Sequence, residues 1–176
     1  CVPDAASGQK KAGDVAFSAM AGTVFEGEVY IGGDIDVDVD TESGLILRAQ
    51  ADRYVSPFFI VGAYLNYIGI ETEGGAEATI LTTGLTLKAP IALSPTMELR
   101  VGIGFGYQTT DVDVDGVDDV TGFDLAPVSE LAIQISNTTT ALFTLSGFSQ
   151  PVGGNDDVEV EWAPILFLAG GFEFSP

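Results

Sequence analysis

The sequence predicts an all-β protein that forms an eight-stranded antiparallel up-and-down transmembrane β-barrel. Three observations predict this fold: strand-like alternation along most of the chain, glycines on the polar face of that alternation, and connections that alternate between short uncharged turns and acidic loops. Strands of about 10 residues with a two-residue period have the length that a tilted strand needs to cross a bilayer.

The clearest strand is 95–108, PTMELRVGIGFGYQ. One face of it carries Met97, Leu99, Val101, Ile103, Phe105 and Tyr107, and the other carries Glu98, Arg100, Gly102, Gly104, Gly106 and Gln108. Because glycine weakens an ordinary strand, three alternate glycines indicate a crowded interior in which neighbouring side chains need room. An apolar outer face with a small and charged inner face is typical of a membrane-spanning barrel strand.

The rest of the chain is expected to follow the same plan. Residues 1–14 are interpreted as a linker, and 15–27 fit a short helix, a plug inside the lumen or an early strand. The barrel is expected over 28–174, with strands at 28–39, 45–55, 58–70, 78–89, 95–108, 121–135, 139–148 and 158–174. Pro127 interrupts the sixth strand and predicts a bulge or kink there.

The connections alternate in character. After the second, fourth and sixth strands the chain turns through VSPF, LSPT and SNTT, which carry no charge. The other connections are acidic: 34–42, 71–77, 111–119 and 156–161 hold five, three, five and four acidic residues, together 17 of the 26. Short turns at one end and longer polar loops at the other are typical of outer-membrane barrels, and both chain ends should then lie at the turn side. A soluble barrel or sandwich with the same alternation is the alternative.

Composition excludes several classes of function. A formal net charge of -20, a pI near 4.1 and only six basic residues argue against nucleic-acid binding. The sequence has no histidine, which excludes a histidine-based catalytic triad and a histidine metal site. The glycine runs GGF and GIGFG lack the strand-to-helix context of a phosphate-binding loop. We therefore expect no enzymatic activity.

Three segments carry a resemblance to a known family: YVSPFFIVGAYLNYIGIE (54–71), ALSPTMELRVGIGFGY (92–107) and ILFLAGGFEF (165–174). They resemble the small eight-stranded outer-membrane β-barrels, similar to the OmpA transmembrane domain, over residues 28–174. The resemblance implies a monomeric barrel in the outer membrane of a Gram-negative bacterium, in contact with membrane lipids. It is specific for architecture and leaves the function open, since the family holds porin-like, adhesive and structural members.

The single cysteine, Cys1, is the first residue of the sequence and is followed by VPDAASGQKKAGD. This start resembles that of a mature bacterial lipoprotein, in which a signal peptide is cut just before a cysteine that then receives lipid. Lipidation of Cys1 is the expectation, and an arbitrary chain boundary is the alternative.

Charged residues on the inward faces form the first candidate site. The set comprises Arg48, Lys88, Arg100, Glu28, Asp52, Glu98, Glu130 and Glu173. Because the interior of an eight-stranded barrel is only wide enough for side chains to fill, these charges are expected to pair across the lumen. A narrow ion path is the alternative.

A calcium site is the second candidate. Asp111, Asp113, Asp115 and Gly116 match the first, third, fifth and sixth positions of a calcium loop, with Asp118 and Asp119 close by. The twelfth position is Gly122, so the bidentate glutamate is missing. Loose attraction of divalent cations to a negative rim is the alternative.

The leading functional hypothesis is a structural or surface-presenting outer-membrane barrel with acidic extracellular loops. The second is a soluble lipocalin-like binder of small apolar ligands, in which the apolar faces would turn inward. The third is a barrel subunit of a larger cell-envelope assembly that docks other envelope proteins through its acidic loops.

Overall fold

A computed structural model describes residues 10–32, 37–71, 75, 77–112, 120–150, 153–154 and 159–176. Its strands are β1 (Val15–Val24), β2 (Gly27–Gly32), β3 (Val37–Thr41), β4 (Gly44–Ser56), β5 (Phe59–Glu71), β6 (Glu77–Ser94), β7 (Met97–Val112), β8 (Val120–Gln134), β9 (Thr139–Gln150), β10 (Gly153–Gly154) and β11 (Glu159–Phe174). Within these ranges no helix is long and apolar enough to span a bilayer.

Eight of these strands close into a barrel in which every neighbouring pair is antiparallel. The ring runs β1, β4, β5, β6, β7, β8, β9 and β11, and β11 returns to β1 through pairs such as Phe17 with Phe174. The predicted eight-stranded antiparallel barrel is confirmed.

The first strand of the ring differs from the prediction. Of the three alternatives for 15–27, the structure shows a strand: β1 pairs with β4 on one side and β11 on the other. The single strand predicted over 28–39 is wrong, because β2 and β3 pair with each other as a hairpin, from Gly27 opposite Thr41 to Ile31 opposite Val37. Aspartate alternates with isoleucine and valine without a break over 34–40, so the period of the sequence alone does not show that β2 and β3 are separate strands.

Three short turns join strands at one end of the barrel, which we call the turn end. In each, a serine hydroxyl oxygen accepts a hydrogen bond from the backbone N–H two residues later, which satisfies the turn locally. The pairs are Ser56 with Phe58 (3.2 Å), Ser94 with Thr96 (3.3 Å) and Ser136 with Thr138 (3.3 Å). Both ends of the described chain lie here too, since Gly13 N donates to Tyr54 O and Ser175 N donates to Thr138 O. The opposite end is the loop end.

Pro127 does not bulge the strand against β7, where the register runs through Ile103 opposite Pro127 without a shift. The predicted bulge or kink is wrong at this edge. On the other edge the continuous β8–β9 ladder ends at Val128 opposite Ser146, and the Ser146 hydroxyl donates to the Pro127 carbonyl at 2.6 Å. Proline has no N–H to donate, so it lies where that ladder stops.

Candidate functional site

The outer wall of the barrel is an apolar belt. Large apolar side chains that are 44–56% exposed point outward from all eight strands of the ring. One from each is Phe17, Leu45, Leu65, Leu85, Phe105, Leu125, Leu145 and Leu168. On β7 the exposed fractions of Val101 and Ile103 are 36% and 43%, whereas Arg100 is 1% exposed. The apolar face predicted to point outward therefore does so.

Aromatic side chains border the belt at both ends. Phe17, Phe59 and Phe174 lie near the turn end, and Tyr67, Tyr107 and Phe123 lie near the loop end. Phe59 and Tyr67 are eight residues apart on β5, about 27 Å along the strand. A strand tilt of about 40° reduces this to about 20 Å along the barrel axis, close to the roughly 25 Å apolar band of outer-membrane barrels.

Inside the barrel, the half near the turn end holds a network of ion pairs centred on Lys88. The Lys88 ammonium lies 2.6 Å from Asp52 Oδ2 and 2.8 Å from Glu130 Oε2, and all three side chains are at most 2% exposed. Gln50 links the same two carboxylates by donating from Nε2 to Asp52 at 2.8 Å and to Glu130 at 3.1 Å. Each of these three buried charges therefore has a partner of opposite sign, as burial requires.

Arg100 extends the network toward the turn end. Its Nη1 lies 2.6 Å from Glu173 Oε2 and its Nε lies 2.7 Å from Glu98 Oε1. Glu98 also accepts a hydrogen bond from the Tyr54 hydroxyl at 3.2 Å, and the Arg100 guanidinium lies 5.6 Å from the centre of the Tyr54 ring.

Lys10, which precedes β1 in the chain, completes the network at the turn-end mouth of the lumen. Its ammonium lies 3.3 Å from Glu173 Oε1 and donates to the Ser175 hydroxyl. Together with Glu98, Arg100 and Gln134 it lines a cavity of about 40 Å³ at the turn-end mouth. That volume has room for only a few water molecules.

The side chain of Tyr64 lies along the inner wall of the barrel and passes over two glycines. Four residues on adjacent strands form a row across the sheet, in the order Tyr64, Gly84, Gly106 and Asp124. The Tyr64 hydroxyl spans this row and donates to Asp124 Oδ2 at 2.6 Å, while the Arg48 guanidinium stacks 4.7 Å from the centre of the ring. A methyl group on Gly84 or Gly106 would lie 2.8 or 2.9 Å from the Tyr64 hydroxyl. The glycines therefore provide the room in which the tyrosine ring lies.

The half of the lumen near the loop end is apolar. Val24, Ile46, Ile68, Ile80 and Phe167 are completely buried and belong to one cluster of inward side chains. This layer differs from the small, charged lining that the strand 95–108 suggested. Its signal in the sequence is that apolar residues follow one another, as in Leu45–Leu47 and Ile80–Leu81, so that both faces of the strand are apolar at that height.

The predicted site residues fall into three groups. The structure brings Asp52, Lys88, Glu98, Arg100, Glu130 and Glu173 into one network, and places Arg48 beside them through Gln50, whose Oε1 accepts from its Nη2 at 2.8 Å. Glu28 lies in β2, and its side chain is outside what the structure describes. Cys1, Asp113, Asp115, Asp118 and Asp119 also lie outside the described residues, so lipidation and the calcium loop stay predictions.

Sequence reasoning missed Lys10, Tyr54 and the role of Tyr64. Lys10 lies in the segment that the sequence predicts to be a linker, and nothing in its neighbourhood marks it as an inward side chain.

Of the five predicted calcium ligands only Asp111 is described, and it is exposed at the loop end. Among the described residues no group of three or more acidic, cysteine or histidine side chains could hold a metal ion.

No protein-family model matches the sequence, and a comparison with curated proteins finds no match. Solved structures do match. The chain is similar to the outer membrane protein OprG from Pseudomonas aeruginosa, with a TM-score of 0.72 and 14% identity over 96% of this chain and 98% of that chain. The fold is that of an outer-membrane β-barrel.

Two further structures share this fold. The solid-state NMR structure of outer membrane protein AlkL in lipid bilayers matches with a TM-score of 0.64 and 15% identity, over 94% of this chain and 91% of that chain. Neisserial surface protein A matches with a TM-score of 0.62 and 11% identity, over 92% and 99%. The predicted resemblance to small outer-membrane barrels is confirmed for the architecture.

Proposed function

We propose that the protein spans the outer membrane of a Gram-negative bacterium as a closed barrel, and that its role is structural or surface-presenting. The observation that carries this proposal is the phase of the eight strands. Every strand of the ring turns a large apolar side chain outward, where in water it would form one continuous apolar surface around the molecule. Soluble monomers rarely expose an apolar patch of more than a few hundred Å², so this belt fits contact with hydrocarbon.

The side chains that fill the lumen support the interpretation that the barrel does not conduct ions. Arg100, Lys88 and Tyr54 are among the largest side chains that are less than 2% exposed, and they cross the half of the lumen near the turn end. The apolar cluster fills the half near the loop end. A continuous water path would have to break the Lys88 ion pairs, which are shielded from solvent. Pairing across the lumen is therefore favoured over a narrow ion path.

The phase of the strands also argues against the lipocalin-like alternative. A binder of small apolar ligands would turn the apolar face of each strand toward a cavity, whereas here those faces point outward and the inward cluster consists of the barrel's own side chains. The third hypothesis, a subunit that docks other envelope proteins through its acidic loops, is not favoured by any described contact.

Purified protein tests the proposal directly. We expect it to need detergent to remain monodisperse in size-exclusion chromatography, and to insert into phospholipid vesicles. We expect planar bilayers that contain the protein to pass no more ion current than protein-free bilayers. Monodisperse behaviour in detergent-free buffer would refute the membrane role, and stable unitary currents would refute the closed lumen.

A further inference from the structure

The six basic residues of the chain are distributed unevenly, and all of them lie in the part of the chain that the structure describes. Four have carboxylate or amide partners in the lumen or its mouth: Lys10, Arg48, Lys88 and Arg100. The remaining two, Lys11 and Arg53, are exposed. They are thus the two basic residues whose side chains are both exposed and unpaired among the described residues.

Lys11 and Arg53 lie at the same corner of the turn end. Arg53 is opposite Val15 in the β1–β4 ladder. Two backbone hydrogen bonds join the turn that begins at Lys11 to Tyr54, the residue that follows Arg53. Gly13 N donates to Tyr54 O at 2.7 Å, and Tyr54 N donates to Asp14 O at 2.9 Å. Neither the Lys11 ammonium nor the Arg53 guanidinium forms a hydrogen bond or an ion pair with any other described residue.

Arg53 lies on the outer wall of the barrel, on the same face of β4 as Leu45 and Leu47. Its cross-strand neighbours are Val15 and Val61, so its stem lies among apolar side chains. Two residues nearer the middle of the barrel, Ala51 lies opposite Phe17 of the aromatic border. A guanidinium at this height can extend along the wall into the headgroup layer while its stem stays in the apolar region.

The loop end presents the opposite charge. The exposed charged residues described there are all acidic: Glu26, Glu42, Glu71, Glu77 and Asp111. The turn end presents Lys11 and Arg53 together with one exposed acid, Asp14, whose Oδ2 accepts a hydrogen bond from Lys11 N at 2.7 Å. The two bases outnumber that acid, so an anionic headgroup is attracted to this end and repelled by the loop end.

We propose that Arg53 and Lys11 form a binding site for the phosphate of an anionic phospholipid in the leaflet at the turn end. The planar fork of an arginine matches two phosphate oxygens, and the lysine supplies a second point charge beside it. A zwitterionic lipid offers the same phosphate with its charge already balanced by the headgroup amine, so anionic lipid is preferred. This site rests on the proposed membrane role, because Arg53 reaches a headgroup only if the wall around it lies in lipid.

The test measures lipid selectivity in reconstituted full-length protein. Vesicles of phosphatidylcholine contain a trace of spin-labelled phosphatidylglycerol or spin-labelled phosphatidylcholine, and the fraction of immobilised label gives the enrichment of each lipid at the protein. The proteins compared are the wild type, Arg53→Gln, Lys11→Gln and the double variant. Arg53→Lys serves as the conservative change, and Glu77→Gln as a charge change at the loop end.

We expect phosphatidylglycerol to be enriched over phosphatidylcholine at the wild-type protein. Each single glutamine variant should reduce that enrichment two- to fivefold, which is the contribution that one basic residue typically makes to the attraction of anionic lipid. Arg53→Lys should retain part of the enrichment, Glu77→Gln should leave it unchanged, and 0.5 M salt should reduce it. Heat-modifiable migration on gels verifies that each variant is folded.

Equal enrichment in the wild type and the double variant would overturn the site, as would a loss in Glu77→Gln that matches the loss in Arg53→Gln. Insertion without any preference for phosphatidylglycerol refutes the lipid site and leaves the membrane role intact. Failure of the wild type to insert into either kind of vesicle would refute the membrane role itself.

Discussion

Replacement of Lys88 by methionine is the sharpest probe of the closed lumen. The change keeps a long apolar stem but leaves Asp52 and Glu130, which are 2% and 0% exposed, without the ammonium that lies 2.6 and 2.8 Å from them. Removal of one partner of a buried ion pair typically costs about 3–5 kcal/mol. Arg100 Nη1 lies 3.9 and 3.8 Å from the same two carboxylates and can take over part of the pairing. We therefore expect a loss of about 3 kcal/mol, at the lower end of that range.

The assay is reversible urea unfolding in phospholipid vesicles, followed by the fluorescence of the single tryptophan and by gel migration. The matched control is the triple variant Lys88→Met, Asp52→Asn, Glu130→Gln, which removes all three charges together. Because it also neutralises the two carboxylates that Lys88→Met leaves without their ammonium, it should recover most of the loss. A loss below about 1 kcal/mol for Lys88→Met alone, or no recovery in the triple variant, would mean that water reaches these carboxylates and that the lumen is not closed.

Three further predictions concern packing and the lipid face. Gly84→Ala should lower the free energy of unfolding by about 1–3 kcal/mol, because the added methyl group would lie 2.8 Å from the Tyr64 hydroxyl and against the backbone of β7. The control is Gly69→Ala, where the added methyl group would have no atom within 4 Å, and it should change stability by less than about 0.5 kcal/mol. Tyr64→Phe should cost about 1.5–3 kcal/mol in urea unfolding, because it removes a 2.6 Å hydrogen bond to a buried carboxylate; an unchanged midpoint would contradict this. Val101→Arg should cost about 2–4 kcal/mol near the bilayer midplane and Leu93→Arg, close to the turn end, at most about 1 kcal/mol; equal costs would show that depth in the bilayer does not matter.

Much of the architecture follows from the sequence because it depends on local rules. The alternation of Val101 and Ile103 with Gly102 and Gly104 determines which face of β7 points outward, and the structure agrees. The uncharged segments VSPF, LSPT and SNTT mark the three turns, each of which uses a serine hydroxyl to bond the backbone. These features need no knowledge of which strands meet.

The first strand was harder to predict because its residues are small. Ala19 and Ala21 point outward, and Ala16 and Ser18 point inward, so β1 shows little contrast between its two faces. Its identity as a strand depends on its partners β4 and β11, which are distant in sequence.

The contacts inside the lumen depend on the closure of the barrel. Tyr64 reaches Asp124 across two intervening strands, and Lys10 meets Glu173 only because the two chain ends converge at the turn end. Neither pairing has a signal in the spacing of the sequence. The register and the tilt of the closed ring determine them.

The most direct test of the account is the depth and orientation of β7 in a bilayer. A nitroxide attached to cysteine at Val101, and separately at Gln108, in a Cys1→Ser background would report its surroundings in reconstituted vesicles through collision rates with oxygen and with a water-soluble nickel complex. The account predicts that the label at Val101 collides frequently with oxygen and rarely with nickel, as in hydrocarbon, whereas the label at Gln108, an inward position that is 0% exposed, is immobilised and shielded from both. A label at Val101 that collides freely with nickel would place the apolar wall in water and contradict the account.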